Sequence, residues 1–324
     1  MASMPEITVH AIVVTWNKME DTVACIESLL DSTRPPDQIV VVDNGSEDRF
    51  ITQLRKFCEG KANIALIENS ANYGYTRGAN LGIQYALDHI ADIVLLINND
   101  AVLTEDALEI FLEVVRQEDS VGLFGPRILY YDEPEIIWHG GGRYFIAKTG
   151  VIGHEKNRRV TDCLDENREV TYLTGCVLLI RSRVFEEIGL FDEDFFMYAE
   201  DPDFCFRARK AGIRLLYVPQ ARAMHKVPVR RPRQLSRSTL YHIGRSHALL
   251  LRKHFRYVFL VVGLCSHLLL HGPYMLLQLV RGAGPVRDLR WWLKGTWDGM
   301  LGRAARDQAS KGIKGKGGER HGGD

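Results

Sequence analysis

Several short stretches concentrate side chains that can do chemistry. "DIVLLINNDAVL" (Asp92–Leu103) breaks an apolar run with Asn98, Asn99 and Asp100. A carboxylate in that position, beside phosphate oxygens, suits a hard divalent cation. The same triplet also suits a helix N-cap. "FDEDFFMYAEDPDFCFRARKAG" (Phe191–Gly212) is the densest acidic patch and carries Glu200 and Asp201 among aromatics. Neighbouring carboxylates in an apolar-walled pocket raise one another's pKa and can form a general base. At a helix start they also complement the macrodipole. Asp43, in "VVDNGSED", can accept the imide N–H of uracil or thymine through a charge-assisted bond, or cap a turn. "NYGYTRGAN" (Asn72–Asn80) sets glycines, amides and Arg77 ahead of a helical pattern. It reads as a cradle beside a diphosphate at a helix N-terminus or as a loop with a cap. It lacks the G-x-G-x-x-G spacing of dinucleotide folds. His225, in "RAMHK", is a solitary histidine; most of these are structural, but one placed after a sheet strand can complete a metal site.

The elements that must position these residues alternate over the first half. Strands are expected at Ile7–Thr15, Gln38–Asp43, Asn63–Glu68 and "DIVLLI". Helical periodicity falls in "DTVACIESLLD", "FITQLRKFC", "TRGANLGIQYALDHI" and "EDALEIFLEVVRQ". That order implies a parallel sheet covered by helices. Ligands of such sheets gather at the carboxyl ends of the strands. Thr15-Trp16-Asn17, Asp43-Asn44-Gly45 and Asn98-Asn99-Asp100 all fall there. "VGLFGP" reads as a short strand, and residues from about 130 to 170 as an irregular insertion or acceptor-side loop. "TYLTGCVLLIRS" then reads as a strand, "DPDFCFRARKAG" as a helix, and "IRLLYVP" as the last strand.

The net charge is zero over 324 residues, but it is unevenly spread. Residues 222–324 carry 20 Lys+Arg against 5 Asp+Glu, a net of +15, which leaves −15 on the first 221. A basic tail of that kind suits a polyanion, either nucleic acid or an anionic membrane face. The run Tyr257–Val280 has no Asp, Glu, Lys or Arg over 24 residues, yet His267, His271 and Gly272-Pro273 interrupt it. It is long enough to span a bilayer, but basic residues flank both ends, which favours lying on one membrane face. A buried core hairpin is the other reading. None of the six cysteines is spaced as CxxC, so a reducing compartment is expected. The N-terminus lacks a signal-peptide pattern, so a cytoplasmic body is expected. "SKGIKGKGGERHGGD" at the end has a disordered composition.

Taken in order, "VVTWN", "VVDNGSED", "NYGYTRGAN", "LLINNDAVL", "TGCVLLIRS", "GLFDEDFFMYAEDPDFCFRARKAG" and "VPQARAMHK" resemble family 2 glycosyltransferases of the GT-A fold, in the rhamnosyltransferase-like branch. The resemblance covers about residues 6–230. It implies an α/β domain, a Rossmann-like and mostly parallel sheet flanked by helices, over residues 1–230. A basic linker and helical membrane-associated region follows over 231–305, then a disordered tail over 306–324. It implies that Thr15, Trp16 and Asn17 line the nucleotide pocket, that Asp43 reads the base, and that Arg77 and Asn80 sit by the donor. Asn98-Asn99-Asp100 occupies the D-x-D position with Asn for the first Asp, leaving Asp100 as its only carboxylate. The resemblance makes Glu200-Asp201 the acidic base motif, with Asp201 the base, and makes His225 a metal ligand beside Asp100. The implied metal is Mn²⁺ or Mg²⁺.

The implied reaction is inverting transfer from a dTDP- or UDP-sugar, dTDP-rhamnose among them, to a glycan or glycolipid acceptor that is lipid-linked or on the cell surface. The implied location is the cytoplasmic face of the cell membrane, against an anionic surface, with no nucleic acid partner and a homo-oligomer left open. Two other readings compete. A sugar-phosphate nucleotidyltransferase opens with a Gly-rich loop, where this chain has "VVTWNKMEDT". A non-catalytic nucleotide-sugar-binding membrane protein has no use for Asp100, Asp201 and His225 together.

Overall fold

A computed structural model describes residues 6–145, 150–229, 236–255 and 289–303, with the isolated positions 265 and 269. The run Tyr257–Val280, apart from those two positions, the linker at 231–235 and the tail beyond 303 lie outside the described residues. Among the described residues, no helix is long and apolar enough to cross a membrane.

The first half alternates as its periodicity requires. It runs β1 (Val9–Thr15), α1 (Met19–Leu30), β2 (Gln38–Asp43), α2 (Asp48–Cys58), β3 (Ile64–Glu68), α3 (Tyr75–Asp88) and β4 (Ile93–Asn98). Next come β5 (Ala101–Leu103), α4 (Ala107–Gln117) and β6 (Val121–Tyr130). Four short strands fill the middle: β7 (Ile137–His139), β8 (Gly142–Phe145), β9 (Gly150–Gly153) and β10 (Arg168–Val170). Then follow β11 (Val177–Arg181), α5 (Ser182–Ile188), α6 (Glu200–Lys210), β12 (Arg214–His225), α7 (Arg237–His254) and α8 (Leu289–Met300).

The main sheet is ordered β10-β12-β6-β11-β4-β1-β2-β3. The pairs β4–β1, β1–β2, β2–β3 and β6–β12 are parallel, whereas β11 runs antiparallel to both β4 and β6. This is the GT-A arrangement of a central sheet with helices on both faces. Strand alternation explains the two cores. Val9, Ala11 and Val13 join one apolar cluster with Ile26, Leu29 and Phe111 of α1 and α4. Ile12, Val40 and Val42 join the other, with Ala79, Ile83 and Phe204 of α3 and α6.

Two strands run longer than their apolar patterns suggest. "VGLFGP" is the start of the ten-residue β6, and "IRLLYVP" the start of the twelve-residue β12. Their registers shift between Val218 and Arg222, so the ladder continues past Pro219 through a bulge. The second half of β12 also pairs antiparallel with β5, setting His225 opposite Ala101. That pairing explains why the chain returns to apolar residues directly after Asn98-Asn99-Asp100. The triplet is a tight corner between β4, in the sheet centre, and β5, on the edge of β12.

Candidate active site

The carboxyl ends of β1, β2, β4 and β12 deliver Thr15, Asp43, Asn98 and His225 to one edge of the sheet. The corner after β4 then brings His225 Nε2 to 3.1 Å from Asp100 Oδ1. Burial alone would raise the Asp100 pKa, but the hydrogen bond and charge of His225 outweigh it and hold the carboxyl below its ordinary value. The His225 ring is buried, with the Trp138 ring edge-on at 4.4 Å between centroids. Asp100 is 37% exposed, so one hard oxygen and one imidazole nitrogen converge where a ligand can reach them. Among the described residues no third His, Cys, Asp or Glu joins this pair. A divalent ion here would complete its shell with phosphate oxygens and water, as hard cations commonly do. One carboxylate oxygen and one imidazole nitrogen are a donor pair that fits such an ion.

Asp43 is almost fully buried. Its Oδ2 accepts the Ser46 backbone N–H at 3.0 Å, while its Oδ1 is buried with no hydrogen-bond partner among the described residues. A buried carboxylate oxygen without a donor is uncommon and points to a ligand donor. The walls of this recess include Thr15, Lys18, Thr22, Ser46 and Phe50. Its shape depends on Gly45 (φ 74°), where a Cβ would lie 2.5 Å from the Ala71 carbonyl carbon. Asn17, itself at φ 53°, ties the β1 and β2 ends together. Its N–H donates to Ser46 Oγ, and its Oδ1 accepts from Glu47 N. Trp16 stands 46% exposed beside it.

The acidic motif opens α6. Tyr198 (φ 65°) and Ala199 (φ 64°) both adopt the left-handed conformation immediately before it. Such residues cost on the order of 1–3 kcal/mol each and concentrate at functional sites. Asp201 Oδ2 accepts from Tyr172 Oη at 2.6 Å and from Gly175 N at 3.0 Å. Burial raises the Asp201 pKa, and those hydrogen bonds only partly offset it. Glu200 is more deeply enclosed; burial, then the charge of Asp201, pushes its pKa from 4.5 up to about 8. The two environments are therefore unlike: Asp201 is held by two hydrogen-bond donors, whereas the enclosed Glu200 keeps its proton at neutral pH. The dyad and the Asp100–His225 pair share a border. Cys176, next to Gly175, accepts the Asn98 N–H on its carbonyl at 2.8 Å. The charges of Asp100 and Asp201 both act on the half-buried Tyr75 and the buried Cys176.

Not every residue expected at the site presents a free group to it. Asn99 donates to Thr22 Oγ1 at 3.1 Å and lies 3.4 Å from Thr15 Oγ1, and the two hydroxyls lie 2.7 Å apart. Asn80 is buried, with both amide ends on Phe191 and a further contact to Glu193. Its amide fastens the acidic loop to α3. Arg77 is exposed on the first turn of α3, stacked 4.7 Å from the Tyr73 ring. Two residues to which the sequence pattern assigned no role of their own matter here. Asn44 accepts from Asn69 and Tyr73 and donates to Asn72 and Gly74, so one buried amide ties together the turn that leads into α3. Tyr172, in the stretch read as a strand but lying ahead of β11, holds the Asp201 carboxylate.

Helix α7 reaches the same loop from behind. Ser246 Oγ donates to the Met197 carbonyl, Arg245 Nη1 donates to the Asp194 carbonyl, and His242 stacks on Phe196. Asp203, on α6, is held at 2.6 Å by His254 and at 2.8 Å by Arg207. The segment bearing Glu200 and Asp201 is thus fixed by α3 on one side and α7 on the other.

The fold agrees with comparisons to known proteins. A low-salt glycan biosynthesis hexosyltransferase, Agl10, from Haloferax volcanii is 30% identical over 244 residues, 71% of each chain. Rhamnosyltransferase WbbL from Escherichia coli is 26% identical over 240 residues, 70% of this chain and 88% of its own. Among solved structures, the mannosyltransferase PcManGT from Pyrobaculum calidifontis, in complex with GDP-Man and Mn²⁺, superposes with a TM-score of 0.54 at 17% identity. It covers 90% of this chain and 83% of that one. GalNAc-T7 with UDP, GalNAc and Mn²⁺ gives 0.60 at 15% identity, over 76% of this chain and 48% of its own. Those two likenesses bear on the fold. The Glycosyl transferase family 2 profile matches residues 10–189, more than half of the sequence, and the chain belongs to that family, in a rhamnosyltransferase-like branch.

Proposed function

We propose that this glycosyltransferase is metal-dependent and inverting, and moves a sugar from a dTDP- or UDP-linked donor to a hydroxyl of a lipid-linked or cell-surface glycan at the cytoplasmic membrane face. Rhamnose is the favoured sugar, because several relatives are named as rhamnosyltransferases. The observation that carries the reading is the pair of unlike acidic sites on one sheet edge. Asp100 lies beside an imidazole, and Asp201 is anchored by one oxygen with a raised pKa.

Asp43 is the base reader. Its Oδ2 is already taken by Ser46, so Oδ1 offers a single acceptor. That suits the one imide N–H of uracil or thymine better than the two-donor edge of guanine. Asp100 and His225 hold a divalent ion; when bound, it supplies the positive charge that stabilises a diphosphate leaving group. Arg77, exposed beside the same loop, adds a fixed cation near the donor. Asp201 takes the proton of the acceptor hydroxyl. Tyr172 and Gly175 keep its carboxylate oriented, and the raised pKa makes it a better base than an exposed Asp. Glu200 holds its proton at neutral pH, which leaves the role of base to Asp201. A single in-line displacement with inversion needs no more.

Calorimetry of dTDP, UDP and GDP with and without Mn²⁺ tests the donor half. The expected result is Mn²⁺-dependent binding of dTDP or UDP that Asp100→Ala removes and Asp43→Ala weakens. Binding that ignores both the metal and Asp100→Ala would overturn the metal assignment.

A further inference from the structure

Among the described residues, helix α8 buries one face and leaves the other bare. Trp292, Thr296 and Asp298 are buried against α7. Gly295 allows the helices to touch backbone to backbone; a Cβ there would lie 2.0 Å from the Tyr241 carbonyl oxygen. On the opposite side Leu293 is 47% exposed, Trp297 56% and, just past the helix end, Leu301 46%. At about 100° per residue these positions and the exposed Arg290 and Lys294 fall within one arc of about 100°. Among the described residues of α8, the one acid is Asp298, which is buried and bonded to Tyr241 and Arg303. The bare face is therefore apolar and basic, with no exposed carboxylate.

We propose that this face of α8, centred on Trp297 with Leu293 and Leu301, docks on an anionic lipid bilayer. Charge complementarity selects that occupant. Residues 222–324 carry a net +15, and Arg290 and Lys294 stand on the docking arc itself. Tryptophan and leucine beside lysine and arginine are the composition of helices that lie in the interface plane. In the sequence alone, the uncharged run Tyr257–Val280 ends eight residues before α8. Docking would also orient the active site. Arg245 donates to the Arg303 carbonyl at the end of α8 and, at 2.7 Å, to the Asp194 carbonyl in the acidic loop. One buried guanidinium thus links the docking helix to the segment that carries Asp201.

The inference concerns lipid binding and is tested without any transfer assay. Full-length protein is sedimented with vesicles of phosphatidylglycerol and, separately, of phosphatidylcholine. The expected outcome is selective binding to the anionic vesicles, with partitioning reduced at least about tenfold by Leu293→Ser/Trp297→Ser. Arg290→Glu/Lys294→Glu should abolish the preference for anionic lipid. Trp297→Phe keeps the apolar bulk, so it also serves if the serine variant unfolds. With bromine-labelled acyl chains, wild-type tryptophan emission should be quenched, and Trp297→Phe should lose most of that quenching. Unchanged partitioning of a folded serine variant, or undiminished quenching in Trp297→Phe, overturns the proposal. So does a serine variant that dissociates a dimer while binding vesicles normally, which would make the face a contact between copies.

Discussion

At the scale of single residues, the acidic dyad makes the sharpest claims. Asp201→Asn keeps the hydrogen bond from Tyr172 but cannot take a proton, so transfer should fall by about 10²–10⁴-fold with nucleotide binding intact. Glu200→Gln should cost far less, because the amide imitates a carboxyl that is already neutral. A reversed order of losses would make Glu200 the base. The raised Asp201 pKa places the acid limb of the rate profile above the ordinary aspartate range, with activity falling as pH drops through it. Glu200 makes a separate claim about stability. Its folded pKa of about 8 exceeds the unfolded 4.5, so the native state holds a proton that the unfolded chain releases. Stability from this group is complete below 4.5 and is lost as pH rises towards 8, at up to about 1.4 kcal/mol per unit. Glu200→Gln should therefore raise Tm more at pH 8 than at pH 5; a gain that does not grow with pH would contradict the buried, protonated assignment. Asp43, Asp100, Glu200-Asp201 and His225 were legible in the sequence because each is polar and sits at the end of an apolar strand or the start of a helix. Asn80 and Asn99 carry the same signature, yet scaffold groups consume their amides. Type and position cannot separate a side chain that faces a ligand from one that braces the loop beside it.

At the scale of elements, periodicity located the first four strands and their helices, since each is one buried stripe or one alternating face. It could not locate β5, three residues long, or the second halves of β6 and β12. Those segments exist through pairing with distant partners, and the bulge near Pro219 erases local alternation. Nor could it show that α7 and α8 meet through glycines. Gly295→Ala must push apart two helix backbones, because its Cβ would sit 2.0 Å from Tyr241 O. Overpacking of this kind costs about 1–3 kcal/mol. The expected result is a lower Tm with unchanged dTDP or UDP affinity, since the donor residues lie elsewhere. A substitution that leaves Tm unaltered would show that the helices part freely and that the α8 face is not rigidly presented.

For the whole molecule, composition divides the chain near residue 221 into an acidic part and a basic part, but packing joins them across that line. Phe195 and Ala199 of the acidic loop form a small core with Leu249 and Leu250 of α7. Lys253 pairs with Asp192 and Asp194, and His254 with Asp203. Opposite net charges on the two parts are thus partly spent on each other, at the loop that leads into Glu200-Asp201. A chain ending at Ser238 separates the two halves of the proposed reaction. Asp43, Asp100 and His225 rest on β1, β2, β4 and β12, none of which needs α7, so Mn²⁺-dependent nucleotide binding should survive. Asp201 keeps Tyr172 and Gly175 but loses the ties that hold its loop from behind, and Phe195 becomes exposed. Catalysis is sensitive to displacements of about 1 Å at the reacting group, enough for roughly 10²-fold in rate. Transfer should therefore drop by at least that factor while calorimetry still reports the nucleotide. His254→Ala in the full-length chain should move in the same direction by a smaller amount, since it removes one tie and leaves the others. A truncated chain that transfers sugar at the full rate to a soluble acceptor would show that α7 and α8 serve attachment alone.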